Sequence, residues 1–180
     1  MRSGLRRGLH ACSPLVLVPT YWIGWEQERI LLLVLAGGAC ALEVLRLTVP
    51  AVRRVLERVL PVWRSHEQQR PSGAAWLALA FALAARAPMP AALGGIFAGA
   101  WADPAASLVG SRFGGSTTKS AAGSAAAGIV AAGAALIVGY SLSVAVVAGA
   151  VAAMLERWAV SPDDNLWLAS GVALTLVAFA

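Results

Sequence analysis

Charged residues are scarce in this chain, and lysine is nearly absent. Only 13% of its 180 residues are charged and 59% are hydrophobic, whereas a soluble domain carries roughly 25% charged residues. The mean hydropathy of +0.73 points the same way. The composition therefore excludes an ordinary soluble domain. It predicts an integral membrane protein whose partner is the lipid bilayer and not a nucleic acid.

Cysteine is scarce as well. Cys12 and Cys40 fall in or beside apolar segments and lack the CxxC spacing, which excludes a disulfide framework and a thiolate metal site. The basic residues at the N-terminus precede an apolar run, as in a signal peptide. That run contains Pro14 and Pro19, and no small-x-small cleavage site follows it. We therefore expect a retained first helix.

Apolar runs follow one another with short polar segments between them. Because a helix needs about 20 mostly apolar residues to cross a bilayer, we predict an all-α fold, with a single integral membrane domain over residues 1–180. The predicted transmembrane helices, about seven in number, cover roughly residues 11–25, 30–49, 73–88, 91–109, 122–139, 142–158 and 165–180. Gly95 and Gly99 lie four residues apart in the fourth span. Small residues at this spacing allow close helix packing, and also a homodimer.

The segment between the second and third predicted spans is amphipathic. Its apolar residues repeat at helical spacing: Val52, Val55, Leu56, Val59, Leu60 and Trp63. The charged residues occupy the remaining positions: Arg53, Arg54, Glu57, Arg58 and Arg64. This pattern predicts an interfacial helix over residues 51–66 with its arginines toward anionic headgroups. A solvated linker is the alternative.

Basic residues are unevenly distributed over the predicted topology. With the N-terminus inside, Arg29 and Arg86 fall in the outer connections, and the other twelve basic residues fall on or near the inner face. Because basic residues concentrate on the cytoplasmic side, we predict a cytoplasmic N-terminus and an external C-terminus, in a bacterial-type inner membrane.

Ionisable residues in or beside membrane spans are costly and usually functional. In the predicted topology these residues lie near the cytoplasmic side: Glu43, Arg46, Asp103, Lys119, Glu156, Asp163 and Asp164, with Asn165 beside them. We therefore expect them to converge in one cytoplasm-facing pocket. Glu26 and Glu28 fall in an outer connection beside Arg29, and we expect both to be solvated.

The only lysine lies in a polar, glycine-rich segment over residues 102–124. Backbone amides of Gly110, Gly114 and Gly115 could approach phosphate oxygens there, and Lys119 would supply a point charge. The segment is not a P-loop, which needs G-x-x-x-x-G-K-[ST], because Thr118 precedes the lysine. A polar loop between two helices is the alternative.

Oxygen-bearing side chains are densest at Asp163, Asp164 and Asn165. Mg²⁺ prefers oxygen ligands, and proteins often hold it with one or two carboxylates and substrate phosphates. The segment therefore predicts a magnesium site. The alternative is a helix N-cap after Pro162, at the start of the last span.

Several motifs follow one another along the chain. The central ones are Asp103-Pro-Ala-Ala-Ser-Leu-Val-Gly110, Arg112-Phe-Gly114, Lys119-Ser120 with Gly123-Ser124, and Asp163-Asp164-Asn165-Leu166. Supporting motifs are Arg6-Arg7-Gly-Leu-His10, Glu43-Val-Leu-Arg46, and Glu67 with Ser72-Gly73. In this order they resemble the dolichol kinase and phytol kinase family, which includes CTP-dependent diacylglycerol kinases and bacterial polyprenol or diacylglycerol kinase-like proteins.

This resemblance implies a lipid-alcohol kinase that transfers the γ-phosphoryl group of a nucleotide, typically CTP, to a polyprenol, phytol or diacylglycerol at the cytoplasmic face. It implies that the triphosphate is held by Lys119 and Arg112, together with Gly110, Gly114, Gly115, Ser120, Gly123 and Ser124. Mg²⁺ would be held by Asp163, Asp164 and Asp103, and the alcohol proton would pass to Asp103 or His10. Supporting positions are Arg7, Glu43, Arg46, Glu67 and Asn165.

Two positions depart from the family pattern. Ala102 stands where the family commonly has glycine, and Ala122 stands where it commonly has an acid. The second departure removes a carboxylate that would help to hold the metal or order the loop, so a non-catalytic family member stays an alternative. A phosphatidate cytidylyltransferase-like enzyme, which would also use CTP at a membrane, is the other alternative.

Overall fold

The computed structural model describes residues 2–59, 65–113, 119–158 and 161–180, and this part of the chain is helical and contains no strand. The α-helices are α1 (Arg2–Ala11), α2 (Thr20–Ile23), α3 (Trp25–Thr48), α4 (Pro50–Val59), α5 (Gly73–Ala84), α6 (Met89–Phe113), α7 (Ala121–Ile137), α8 (Leu142–Trp158) and α9 (Asp164–Val177). Short 3₁₀ helices cover Ser13–Leu17 and Ser65–Gln69. The predicted all-α fold is confirmed.

Two helices in the described part of the chain are long and apolar enough to cross a membrane. They are α3, with 24 residues, and α6, with 25 residues. The helices α5, α7, α8 and α9 have 12, 17, 17 and 14 residues, fewer than the roughly 20 that a full span needs. The lengths suggest membrane association, and they do not confirm the predicted arrangement of seven spans.

The predicted first span over residues 11–25 is wrong, because no continuous helix covers it. A 3₁₀ turn and the four-residue α2 take its place, and Gly24 adopts a φ of 79° between α2 and α3. Pro14 and Pro19 explain the interruption, since proline lacks the N–H that a helix interior requires. Arg2–Ala11 form α1 before this interruption, and the indole Nε1 of Trp101 donates to the carbonyl of Ala11 at 3.0 Å.

The core consists largely of alanine and glycine, and α6 lies at its centre against α5, α7 and α9. A Cβ added at Gly95 would lie 2.5 Å from the carbonyl oxygen of Ala169, and one added at Gly99 would lie 2.5 Å from the Cβ of Ala169. The prediction that these two glycines serve close packing is therefore confirmed. Their partner helix is α9.

The predicted amphipathic helix forms as α4, which begins at Pro50 and contains no buried residue. Val55 and Val59 are 59% and 68% exposed, while Arg53 pairs with Glu57 at 2.9 Å. An exposed apolar stripe beside a basic one suits a bilayer surface. Residues 60–64 of the prediction lie outside the described residues, and residues 65 and 66 belong to the separate 3₁₀ helix Ser65–Gln69.

Glu28 corrects the expectation of a solvated outer pair. Glu26 is exposed and pairs with Arg29 at 3.0 Å, but Glu28 is fully buried at the start of α3. The residues lie two apart on a helix, so they point to different sides of it. The sequence pattern did not indicate which side would be covered.

Replacing Gly95 by alanine should destabilise the fold, because the added methyl group meets the backbone of α9 at 2.5 Å. We expect a loss of about 1–3 kcal/mol in the free energy of unfolding, as for other overpacked cores. Denaturant titration of the detergent-solubilised protein would measure it.

Gly133 is the matched control, since it is also helical and a Cβ there meets nothing within 4 Å. Gly133→Ala should leave stability unchanged or raise it by about 0.5–1 kcal/mol. Equal stability of the two variants would contradict the packing assignment.

Candidate functional site

Polar side chains gather where the ends of several helices meet. Arg46 at the end of α3 donates to the carbonyl of Glu67 at 3.0 Å, and Asn165 at the start of α9 donates to the carbonyl of Gly73 at the start of α5 at 3.3 Å. Lys119, before α7, contacts the last turn of α8 and the first turn of α9. The structure thus brings together helix ends that are up to 119 positions apart in the sequence, from Arg46 to Asn165.

Lys119 is the centre of an ionic group. Its Nζ donates to Asp164 Oδ2 at 3.2 Å and to the backbone carbonyl of Glu156, and it lies 3.8 Å from Glu156 Oε1. Arg157 Nη1 donates to the carbonyl of Lys119 at 2.6 Å, which anchors the backbone at this residue. The lysine side chain remains 36% exposed, so that a ligand can still approach it.

Three carboxylates surround this lysine on one side. One oxygen from each of Asp103, Glu156 and Asp164 lies within 4.8 Å of the other two. Their side chains are 15%, 9% and 20% exposed. Oε2 of Glu156 is buried without a hydrogen-bond partner. Because a buried carboxylate oxygen is costly without a partner, this atom indicates a site for a cation or a donor. We call these three residues the acidic triad.

Glu156 is the member of the triad that sequence reasoning did not propose as a metal ligand. The sequence indicates only that Glu156 is an ionisable residue at the end of an apolar segment. That signal was correct but could not indicate that the last turn of α8 faces the first turn of α9. Only the packing of these two helices places Glu156 beside Asp164.

His10 joins α1 to the acidic triad. Its Nε2 lies 3.1 Å from the carbonyl oxygen of Gly99, and its Nδ1 lies 3.5 Å from Asp103 Oδ2. Since a carbonyl only accepts hydrogen bonds, Nε2 carries a proton. The ring is thereby held in place with Nδ1 toward the carboxylate, in a side chain that is 8% exposed. His10 and Asp103, the two alternative proton acceptors that the resemblance implies, therefore lie side by side.

The predicted supporting residues form a buried polar network. Arg46 donates through Nε and Nη2 to Glu43 Oε2 at 2.9 and 2.7 Å. Ser72 donates to Glu43 Oε1 at 2.5 Å, and Glu67 Oε1 accepts from the backbone N–H of Gly73 at 3.0 Å. The network ties the segment before α5 to the end of α3. It does not contact Lys119, so these residues position helices and do not belong to the ionic group. Arg7 lies half-buried on α1.

The two aspartates of the predicted magnesium site, Asp163 and Asp164, make different contacts. Asp163 is the N-cap of α9, since its Oδ1 accepts from the backbone N–H of Asn165 at 3.0 Å and from Asn165 Nδ2 at 2.7 Å. The alternative N-cap interpretation is thus confirmed for Asp163. Asp164 faces Lys119 instead. Neighbouring residues at a helix start point in different directions, and this separates their roles.

The glycine-rich segment is more helical than expected. Gly110 lies inside α6, which continues to Phe113, so its N–H belongs to a helix interior and not to a phosphate-binding loop. A Cβ there would lie 3.1 Å from Ser120 Oγ, which identifies Gly110 as a packing residue. Gly114 and Gly115 lie outside the described residues.

Three of the remaining predicted nucleotide-binding residues, Ser120, Gly123 and Ser124, have structural contacts at the start of α7. Ser120 is its N-cap and accepts from the N–H of Gly123 at 3.0 Å. Ser124 is buried and donates to the carbonyl of Ser120 at 3.2 Å. Arg112 lies exposed in the last turn of α6. Lys119 thus directly precedes a capped helix N-terminus, which favours anions.

This arrangement suits a divalent cation together with a phosphate. Three carboxyl groups lie together beside one ammonium, and Mg²⁺ prefers carboxylate oxygens. The orphaned oxygen of Glu156 fits such an ion. The exposed side of Lys119 fits a phosphate oxygen next to it.

Asp164→Asn should weaken binding of a divalent cation roughly 10–100-fold, the range seen when groups around a metal are altered. Asp163→Asn is the matched control one residue earlier, because asparagine caps a helix about as well as aspartate. Mn²⁺ titration of the detergent-solubilised protein, followed by electron paramagnetic resonance, would measure both. Equal weakening by the two variants would contradict the division of roles.

Comparisons with known proteins identify no relative of this chain. No protein-family model matches the chain, and no curated protein or solved structure matches it. The resemblance to the dolichol and phytol kinase family stays a prediction, and the functional argument rests on the site itself.

Proposed function

We propose that this protein is a membrane-bound lipid-alcohol kinase that transfers the γ-phosphoryl group of a nucleotide, CTP by the motif resemblance, to a lipid hydroxyl. The observation that carries the proposal is the contact of Lys119 with Glu156 and Asp164, with Asp103 beside them. A cation and three carboxylates at the end of an apolar helix bundle have the composition of a metal–phosphate site.

Phosphoryl transfer depends on positioning and on charge stabilisation. Lys119 would contact the triphosphate, with Arg112 at the exposed end of α6 as the second cation within the motif segment. Asp103, Glu156 and Asp164 are the residues that would hold Mg²⁺, and the ion would supply positive charge to offset the negative charge of the phosphates. Arg157 would keep the lysine backbone in place through its bond to the Lys119 carbonyl.

The reaction also needs a group that accepts the alcohol proton. In the proposed step the alcohol oxygen bonds to the γ-phosphorus, the bond from that phosphorus to the bridging oxygen breaks, and the nucleoside diphosphate leaves. The alcohol proton passes to the carboxylate of Asp103. His10 has Nε2 bonded to Gly99 and Nδ1 3.5 Å from Asp103, and with a proton on both ring nitrogens it would orient that carboxylate as a positioning residue.

The membrane setting follows from the composition and from the helices α3 and α6, which are long enough to span. We propose that the site faces the cytoplasm, because the basic residues cluster at the same predicted side. The exposed valines of α4 would rest in the headgroup layer.

A transfer assay would test the proposal. The purified protein would be supplied with Mg²⁺, polyprenol, phytol or diacylglycerol, and CTP labelled either at the γ- or at the α-phosphate. We expect the γ-label to move to the lipid. Transfer of the α-label with release of pyrophosphate would instead identify a cytidylyltransferase, and no transfer to any lipid alcohol would favour the non-catalytic alternative suggested by Ala122.

Lys119→Ala should lower the transfer rate roughly 10²–10³-fold, as expected when one charge-stabilising donor is removed. Arg86→Ala is the control, because Arg86 is an exposed cation between α5 and α6, outside the ionic group. Initial rates of lipid phosphorylation would be compared at saturating CTP. Full activity of Lys119→Ala would refute the assignment of the phosphate site.

A further inference from the structure

Two aromatic side chains lie exposed just before the start of α3. Tyr21 and Trp22 of α2 are 88% and 72% exposed, and their rings form an edge-to-face pair with centroids 5.5 Å apart. Val18 and Ile23, close to them in the sequence, are exposed as well. Tyrosine and tryptophan each join an apolar ring to one hydrogen-bonding group, which suits the boundary between water and an apolar phase. We call Tyr21 and Trp22 the aromatic surface.

A charged pair next to the aromatic surface marks where water reaches α3. The side chain of Glu26 is 74% exposed, and it pairs with Arg29 at 3.0 Å. After this pair the exposed residues of α3 are apolar, beginning with Ile30 and Leu33. The exposed side of α3 therefore changes from charged to apolar within the first two turns of the helix.

The apolar exposed side of α3 has the length of a bilayer core. Residues 30–48 include two charged residues, Glu43 and Arg46, and both are buried. At about 1.5 Å per residue this stretch is about 28 Å long, and the hydrocarbon core of a bilayer is about 30 Å thick. The basic helix α4 follows directly at the far end. The match in length favours lipid around this side of α3, with the aromatic surface at one boundary and α4 at the other.

We propose that the aromatic surface binds the headgroup layer of the leaflet opposite the ionic group, so that the bilayer holds α3 at both ends. This inference rests on the membrane setting of the proposed function and not on phosphate transfer. The Tyr21 hydroxyl and Trp22 Nε1 donate to ester or phosphate oxygens of the lipid, and the rings lie beside the upper part of the acyl chains.

The charges at the two ends of α3 predict different responses to lipid charge. Beside the aromatic surface, Glu26 and Arg29 neutralise each other, so binding there needs no anionic lipid. The helix α4 carries three arginines and one glutamate, and anionic lipid strengthens the binding of such a helix. The aromatic surface therefore binds zwitterionic phospholipid as well as anionic phospholipid, and α4 prefers the anionic kind.

Depth measurements by electron paramagnetic resonance would test the inference. The two exposed cysteines, Cys12 and Cys40, would be replaced by alanine, and a nitroxide would be attached to Trp22→Cys in phosphatidylcholine vesicles. Its collisions with oxygen, which concentrates in hydrocarbon, would be compared with its collisions with a neutral, water-soluble nickel chelate. We expect fewer chelate collisions than at Glu26→Cys, which marks water, and more than at Val34→Cys, which marks hydrocarbon on the same helix.

A second label would show whether the result depends on removing the tryptophan. Tyr21→Cys keeps Trp22, and we expect its label to lie at the same boundary depth. Chelate collisions at Trp22→Cys as frequent as at Glu26→Cys would overturn the inference, because the aromatic surface would then lie in water. Shielding from both reagents would overturn it as well, because a protein contact such as a second copy of the chain would then cover the surface.

The response to lipid charge provides a further measurement. When phosphatidylglycerol replaces part of the phosphatidylcholine, a label at Val55→Cys on the exposed side of α4 should lose chelate collisions. The label at Trp22→Cys should show no such loss. An equal loss at both positions would contradict the proposed neutral contact.

The inference and the proposed kinase can fail separately, because these measurements use no nucleotide. Boundary depth at Trp22→Cys without any phosphate transfer would refute the kinase and leave the lipid contact. Phosphate transfer with Trp22→Cys in water would leave the kinase and refute the contact. Free access of the chelate to Val34→Cys would refute the membrane setting on which both depend.

Discussion

The close approach of α6 to α9 is the constraint on which the rest of the structure depends. Gly95 and Gly99 have no side chain, so that the backbone of α9 near Ala169 lies against α6. This contact determines the axial position of one helix relative to the other. A helix rises about 5.4 Å per turn. A shift of α6 by one turn along α9 would therefore move Asp103 away from Asp164 and separate the residues of the acidic triad. A site made of groups on different helices therefore depends on residues that have no functional group.

A second constraint is the buried network around Arg46. Burying a cation is costly unless it is paired and hydrogen-bonded, and here Glu43 and the carbonyls of Glu67 and Arg70 accept from Nε and Nη2 of Arg46. The network attaches the segment before α5 to α3, and Asn165 attaches α5 to α9. The first turn of α9 then contributes to two places at once. Asp164 contacts Lys119 in the ionic group, while Asn165 donates to the carbonyl of Gly73 at the start of α5.

Several features of the site could be predicted from residue type. Lys119 is the only lysine, and several carboxylates lie in or beside apolar segments. Because ionisable side chains are costly in a membrane and usually functional, these residues predicted the ionic group. Residue type and local sequence did not decide the roles of Asp163 and Gly110. By sequence alone, Asp163 is compatible with a metal ligand and with an N-cap. Gly110 is compatible with a loop and with a contact between helices. The choice between these roles depends on where α6 ends and which way the first turn of α9 faces.

The sequence by itself determined the helical fold, the amphipathic segment that forms α4, the packing role of Gly95 and Gly99, and the identity of most ionisable residues in the site. These follow from composition, periodicity and the cost of burying charge, which are local properties. Only the tertiary structure decided that Glu156 completes the acidic triad, that residues 2–11 form a helix delivering His10 to Asp103, and that Glu28 is buried. Each of these depends on which helix faces are covered, and that is set by the packing of distant segments.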